Sequence, residues 1–102
     1  MSNADHPATG TDAFALPSDL GIEAIADLSD LLAARIRSDV PVIIDGRAVS
    51  RVHTAALQLL CMFCVGRRKA GRATQWLEPS ESLRQAVALL SLNPLLQLAE
   101  AA

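Results

Sequence analysis

A small α/β domain, with a mostly parallel β-sheet and helices packed against it, is the fold class that this 102-residue chain predicts. Three observations carry that expectation. Short apolar runs alternate with stretches of helical periodicity, in the order strand, helix, strand, helix, strand, helix. The run Val40–Asp45, "VPVIID", is continuous, apolar and β-branched, the pattern of a strand covered on both faces, with Ile43 fully buried. Half the residues are hydrophobic, enough to fill one core, and the length is too short for two. With two Phe, one Trp and no Tyr, that core is aliphatic.

The elements follow in order. Residues 1–12, "MSNADHPATGTD", are polar and read as a disordered tail, which leaves 13–102 as the domain. "AFAL" (Ala13–Leu16) fits a short strand that Pro17 ends or confines to an edge. Ile22, Ile25, Leu28, Leu32 and Ile36 then recur at helical spacing, with Glu23, Asp27, Asp30 and Arg37 on the other side. Ser18 or Asp19 is the expected cap of that helix. After the strand of "VPVIID", a second helix runs from near Thr54 to Gly71, with Arg67, Arg68 and Lys69 in its last turn as dipole partners on a solvated face. "RATQWL" (Arg72–Leu77) fits a strand. "PSES" opens a third helix, with Ser80 as cap and Leu83, Val87 and Leu90 facing inward. Asn93-Pro94 reads as a cap followed by proline at the first helical position of a short last helix.

Composition excludes several functions. A formal charge of -2 with mixed signs does not suit a chain that neutralises nucleic-acid phosphates. No apolar stretch reaches the roughly 18 to 20 residues that span a bilayer, so no direct membrane insertion is expected. The first dozen residues lack the basic start and apolar segment of a secretory signal. The expected location is therefore the cytoplasm, with both cysteines kept as thiols.

The chemically capable residues each have a plainer role. Cys61 and Cys64 form a C-x-x-C, yet they lie two turns into an apolar helix, away from the terminal amides that activate a redox thiol. No second Cys or His pair completes a zinc site, so they read as buried small hydrophobes and no metal or cofactor is expected. Asp45, His53 and Thr54 have the residue types of an acid, a base and a nucleophile. No glycine-rich oxyanion loop or strained nucleophile turn accompanies them, so no enzymatic activity is expected. Arg67, Arg68, Lys69 and Arg72 read as a basic helix end rather than a nucleic-acid surface. Trp76 reads as a strand-packing residue.

Thr54 is the exception in the stretch "VIIDGRAVSRVHTAALQLL". A small hydroxyl between His53 and two alanines is the expected cap of the second helix, worth about 1 kcal/mol. The helix start is also a natural place for negative charge, so a phosphate on this hydroxyl is tolerated by the fold and transforms any apolar partner surface beside it.

These residues, with "RRKAGRATQWLEPSESLRQAVALLSL" after them, resemble the STAS domain family of anti-sigma factor antagonists. In that family an apolar strand ends in Asp, and an Asp-Ser/Thr-small-Gly motif then starts a long helix. A "KAG"-like helix end leads to the next strand, then "PS" and a leucine-rich helix. The likeness spans about Leu16–Leu92. It implies a non-enzymatic module that binds a protein partner, usually an anti-sigma factor with serine kinase activity that phosphorylates the hydroxyl residue. That residue is Thr54 here; His53 stands where the family usually has Asp, and Ala56 where it often has Gly. Arg51, His53, Thr54, Ala55, Leu57 and Gln58 are the expected partner surface. STAS domains with a similar "SRV-x-T" turn also serve as small subunits that bind the ATPase of a bacterial phospholipid-transporting ABC system.

Overall fold

The computed structural model describes residues 10–98. The expected tail lies largely outside the described residues. Strand β1 (Asp12–Ala15) leads to β2 (Asp19–Leu20), a 3-10 turn (Ile22–Ala24) and α1 (Ile25–Ala33). Then come β3 (Val42–Asp45), β4 (Arg51–Val52), α2 (Thr54–Lys69), β5 (Thr74–Leu77), α3 (Glu81–Leu89) and α4 (Asn93–Leu96). The main sheet has the order β1-β3-β5, and both pairings are parallel. The α/β class with a mostly parallel sheet and packed helices is therefore what the chain adopts.

The expectation that β3 is covered on both faces does not hold. The register sets Phe14, Ile44 and Trp76 side by side, and Asp12, Val42 and Thr74 beside one another two residues earlier. Val42, Ile44 and Trp76 are buried, whereas Ile43 is only half-buried and its neighbours Ala13 and Gln75 are exposed. The topology supplies the reason. Both crossovers step the same way across the sheet, and crossovers of one hand then put α1 and α2 on the same face. Those two helices pack on each other over that face. The other face lacks a helical layer among the described residues.

A second, two-stranded sheet pairs β2 with β4, Asp19 opposite Arg51 and Leu20 opposite Val52. Two residues are too few to leave a periodic signal, and this sheet was not anticipated. It takes Ser18 and Asp19 out of the helix-capping role expected of them: Gly21 precedes the 3-10 turn and no side chain caps it. The Ser18 carbonyl instead accepts the Ser50 N–H at 2.8 Å, and the Leu20 carbonyl accepts the His53 N–H at 2.8 Å. The approach to α2 is thereby fixed.

Helix α2 ends as a glycine-terminated helix should. Gly71 has φ +75°, and the Arg72 N–H donates to the Arg67 carbonyl (2.8 Å) while the Gly71 N–H donates to that of Arg68 (3.0 Å). Arg67 itself departs from expectation: it is not on a solvated face but wholly buried. Its Nε donates to Thr74 Oγ1 (2.8 Å), and its two terminal nitrogens donate to the carbonyls of Arg35 (3.0 Å), Ser38 (3.0 Å), Val40 (3.2 Å) and Ala73 (2.7 Å). Burial pushes its pKa down from the ordinary arginine value, but a guanidinium remains charged under these conditions. One buried cation thus ties the loop after α1 to the start of β5.

The Ser80 hydroxyl accepts the Leu83 N–H at 3.1 Å and caps α3, as expected. Leu83 and Val87 are buried, but Leu90 is exposed because the helix stops at Leu89 and Ser91 turns the chain with a positive φ. Helix α4 starts at Asn93, so Leu92 and not Asn93 holds the cap position. Cys61 and Cys64 are free and buried in the core.

Candidate functional site

The start of α2 is where the chemistry expected from the sequence converges. Residues Ala56, Leu57, Leu60, Cys61 and Cys64 face the core, as helical spacing from an apolar run requires. That spacing leaves Thr54, Gln58 and Met62, at i, i+4 and i+8, on the outside. Met62 is 69% exposed, the largest apolar side chain so placed on this helix. Half-buried Ala55 and Leu59 flank the stripe.

The cap of α2 is His53, not Thr54. His53 has extended backbone (φ -80°, ψ 150°), and its Nδ1 accepts the Ala55 N–H at 3.0 Å. Thr54 is the first helical residue and is exposed, so its hydroxyl is not consumed by the capping role expected of it. An Ncap residue is the last with extended backbone, and the His53 N–H bond to the Leu20 carbonyl in the small sheet holds it there.

The expected partner surface is only partly assembled. Arg51, His53, Thr54 and Gln58 are exposed and adjoin one another around the helix start, and Ala55 is half-buried among them. Leu57 is buried in the core and does not contribute. It lies three residues from Leu60 and four from Cys61, on the inward stripe, so its place is legible from spacing alone. The same spacing, extended from Thr54 and Gln58, points to Met62, which the sequence reading passed over. Met62, Leu59 and Phe63 also line a shallow cleft of about 260 Å³ shared with Leu32 and Ile36 near α1. Arg51 pairs with Asp19 across the small sheet at 3.3 Å; both are largely exposed, so the pair contributes little to stability.

The residue types of a catalytic triad are present, but they are not joined. The Asp45 carboxylate accepts the Arg47 N–H (3.0 Å) and pairs with the Arg47 guanidinium (2.8 Å). Those bonds hold its pKa below the ordinary aspartate value. The His53 Nδ1 that a triad acid would orient is occupied by the Ala55 N–H. Among the described residues no hydrogen bond links Asp45 to His53 or His53 to Thr54.

The C-x-x-C pair lies in the core, with Cys64 pushed up to about 12 by burial and Cys61 raised for the same reason. A minor interaction with the Trp76 indole favours the thiolate without offsetting that burial; the indole N–H itself lacks a hydrogen bond of good geometry. Among the described residues no group of three His, Cys, Asp or Glu side chains could hold a metal ion. None of the described helices is long and apolar enough to cross a membrane.

No protein-family model matches the sequence, and no curated protein matches it. Solved structures do match the fold. The structure of the anti-sigma factor antagonist SpoIIAA in its unphosphorylated form superposes with a TM-score of 0.67 at 19% identity, over 82% of this chain and 75% of that one. A sulfate transporter family protein from Wolinella succinogenes superposes with a TM-score of 0.70 at 17% identity, over 90% of this chain and 81% of that one.

Proposed function

Taking the STAS-like fold shared with these structures as the premise, we propose that the chain is a non-enzymatic, cytoplasmic regulatory module. The start of α2 docks on a partner protein of the anti-sigma factor or serine-kinase type, and phosphorylation of Thr54 ends the interaction. One observation carries this reading: the Thr54 hydroxyl sits exposed at the first position of α2 while His53 supplies the cap. A phosphate there gains from the helix dipole and removes no hydrogen bond that holds the helix. The fold tolerates the charge. The partner does not, because Gln58 and Met62 of the stripe and the flanking Ala55 are uncharged while the nearby Arg51 is already paired with Asp19, and an unpaired charge desolvated in an interface costs several kcal/mol.

A second reading keeps the surface and changes the partner to the ATPase of a bacterial phospholipid-transporting ABC system. The likeness to a sulfate transporter family protein favours a transport setting. The two differ in whether Thr54 is ever charged.

The test uses the wild type, Thr54→Ala and Thr54→Asp as baits in extract of the native cell, followed by titration of the partner identified. The wild type and Thr54→Ala bind alike, and Thr54→Asp binds at least about tenfold more weakly. Equal affinities for Ala and Asp would remove the switch, and an ABC ATPase as the sole partner would move the function to transport.

A further inference from the structure

At the far end of α2, roughly 20 Å from Thr54 by helix rise, lies a cleft of about 310 Å³ that the partner surface does not use. The last turns of α2, the start of β5 and the end of α4 form it. Arg68, Arg72, Thr74, Gln75 and Gln97 supply its polar wall, with Cys64 in its lining, and none of its lining residues is acidic.

Four features make this wall a cationic, unfilled set of donors. Arg72 Nε is buried without a hydrogen-bond partner, an arrangement that costs free energy unless something accepts from it. Its other anchor is slight: the terminal nitrogen reaches Asp39 at 3.4 Å, and that carboxylate is 86% exposed. The Thr74 hydroxyl accepts from Arg67 Nε, so its own proton is free to donate elsewhere. Behind Thr74 the buried Arg67 guanidinium hydrogen-bonds only to neutral acceptors, with Asp12 acting on it through its charge alone, and the cleft wall itself is cationic with no acidic residue in its lining. Arg68 is held at this wall by donating to the Leu95 carbonyl (2.7 Å), which leaves most of its five donors unspent.

We propose that this cleft binds a phosphate-type oxyanion from solution, with Arg72 turning away from Asp39 to donate to it alongside Arg68 and the Thr74 hydroxyl. The fork geometry of a guanidinium suits two oxygens of one phosphate. The anion completes the hydrogen bonding of Arg72 Nε and compensates the cationic cluster. The site is independent of any event at Thr54.

Inorganic phosphate is the probe, titrated against potassium chloride at matched ionic strength and followed by backbone amide NMR and thermal melting. The expected result is saturable shifts of the Thr74, Gln75 and Gln97 amides with a rise in Tm that phosphate gives and chloride does not. Arg72→Gln, shown folded by its spectrum, weakens binding by about tenfold or more. Asp39→Asn, which removes the competing carboxylate, binds at least as tightly as the wild type, and Thr54→Ala is unchanged. Phosphate acting no differently from chloride, equal affinity in Arg72→Gln, or weaker binding in Asp39→Asn would each overturn the site.

Discussion

His53 Nδ1 accepts the Ala55 N–H at 3.0 Å, so an imidazole caps the helix at the position where the STAS resemblance places an Asp. The bond needs a lone pair on Nδ1, and therefore the tautomer that carries its proton on Nε2. A carboxylate at this position would satisfy the same amide. The departure from the family pattern thus preserves the cap and changes the charge next to Thr54. A cap supplied by residue 53 leaves the Thr54 hydroxyl without structural duty, which is the condition for that hydroxyl to serve as a switch.

Stability should follow the imidazole and not the hydroxyl. His53→Ala is expected to cost about 1 kcal/mol in urea unfolding, while Thr54→Ala stays within about 0.5 kcal/mol of the wild type. His53→Asp should equal or exceed the wild type, since a carboxylate caps the amide and favours the helix N-terminus. A larger loss for Thr54→Ala than for His53→Ala would return the cap to the hydroxyl.

Arg67 should be among the least replaceable side chains. Arg67→Met removes the donors for Thr74 Oγ1 and five carbonyls, the most distant being that of Ile36, and leaves those acceptors without this partner in a buried space. The expected loss is about 3 to 5 kcal/mol. Arg67→Lys, with a single nitrogen in place of a planar fork, should recover only part of it. Unfolding midpoints for the two variants decide the matter; a loss below about 1 kcal/mol for Arg67→Met would mean that water satisfies the carbonyls.

What the sequence displayed and what it hid divide along physical lines. The Ser80 cap, the Gly71 terminus and the span of α2 were legible because local chemistry determines them. The order of strands and helices was legible for the same reason, and it carried the α/β class. The β2–β4 pair was not, since two residues have no period and their partner lies about 30 positions away. The His53 cap was hidden because an adjacent threonine is the commoner capping type. Arg67 was hidden by its charge, although its spacing from Leu60 and Cys64 places it on the buried stripe of α2. The half-covered sheet was hidden because a short apolar run looks alike whether one face or two are covered.

The one-sided sheet makes adjacent isoleucines unequal. Ile44 is fully buried against the helices, while Ile43 is half-buried on the other face. Ile44→Ala should cost about 2 to 5 kcal/mol, and Ile43→Ala clearly less, near 1 kcal/mol. Equal losses in denaturant unfolding would indicate that something covers the second face.

The cysteines set a pH signature. Burial pushes the folded Cys64 thiol from 9.0 up to about 12, so between those values the unfolded chain loses a proton that the folded chain keeps. Stability from this group is intact below pH 9 and is lost as pH rises toward 12. The urea midpoint should fall over the alkaline range, and Cys64→Ala should flatten that fall. Native thiol labelling should be slow and become fast on unfolding; rapid native labelling would contradict the burial.

Met62 should separate binding from folding. Its side chain is 69% exposed, so Met62→Gln forfeits little core packing and should shift stability by less than about 0.5 kcal/mol. At a partner interface the same side chain is a flexible apolar anchor two turns along the exposed stripe from Thr54. Removing such an anchor is expected to cost about 1 to 2 kcal/mol of binding, a five- to thirtyfold rise in Kd. Leu57→Ala should do the reverse, destabilising the fold because Leu57 is core. Thr54→Asp combined with Met62→Gln should weaken binding by less than the product of the two single effects, since a partner already repelled from the helix start no longer seats fully on Met62. Titration of the partner with the three variants measures that coupling. Unchanged affinity in Met62→Gln would place the interface off the stripe, with Thr54 at its edge rather than within it.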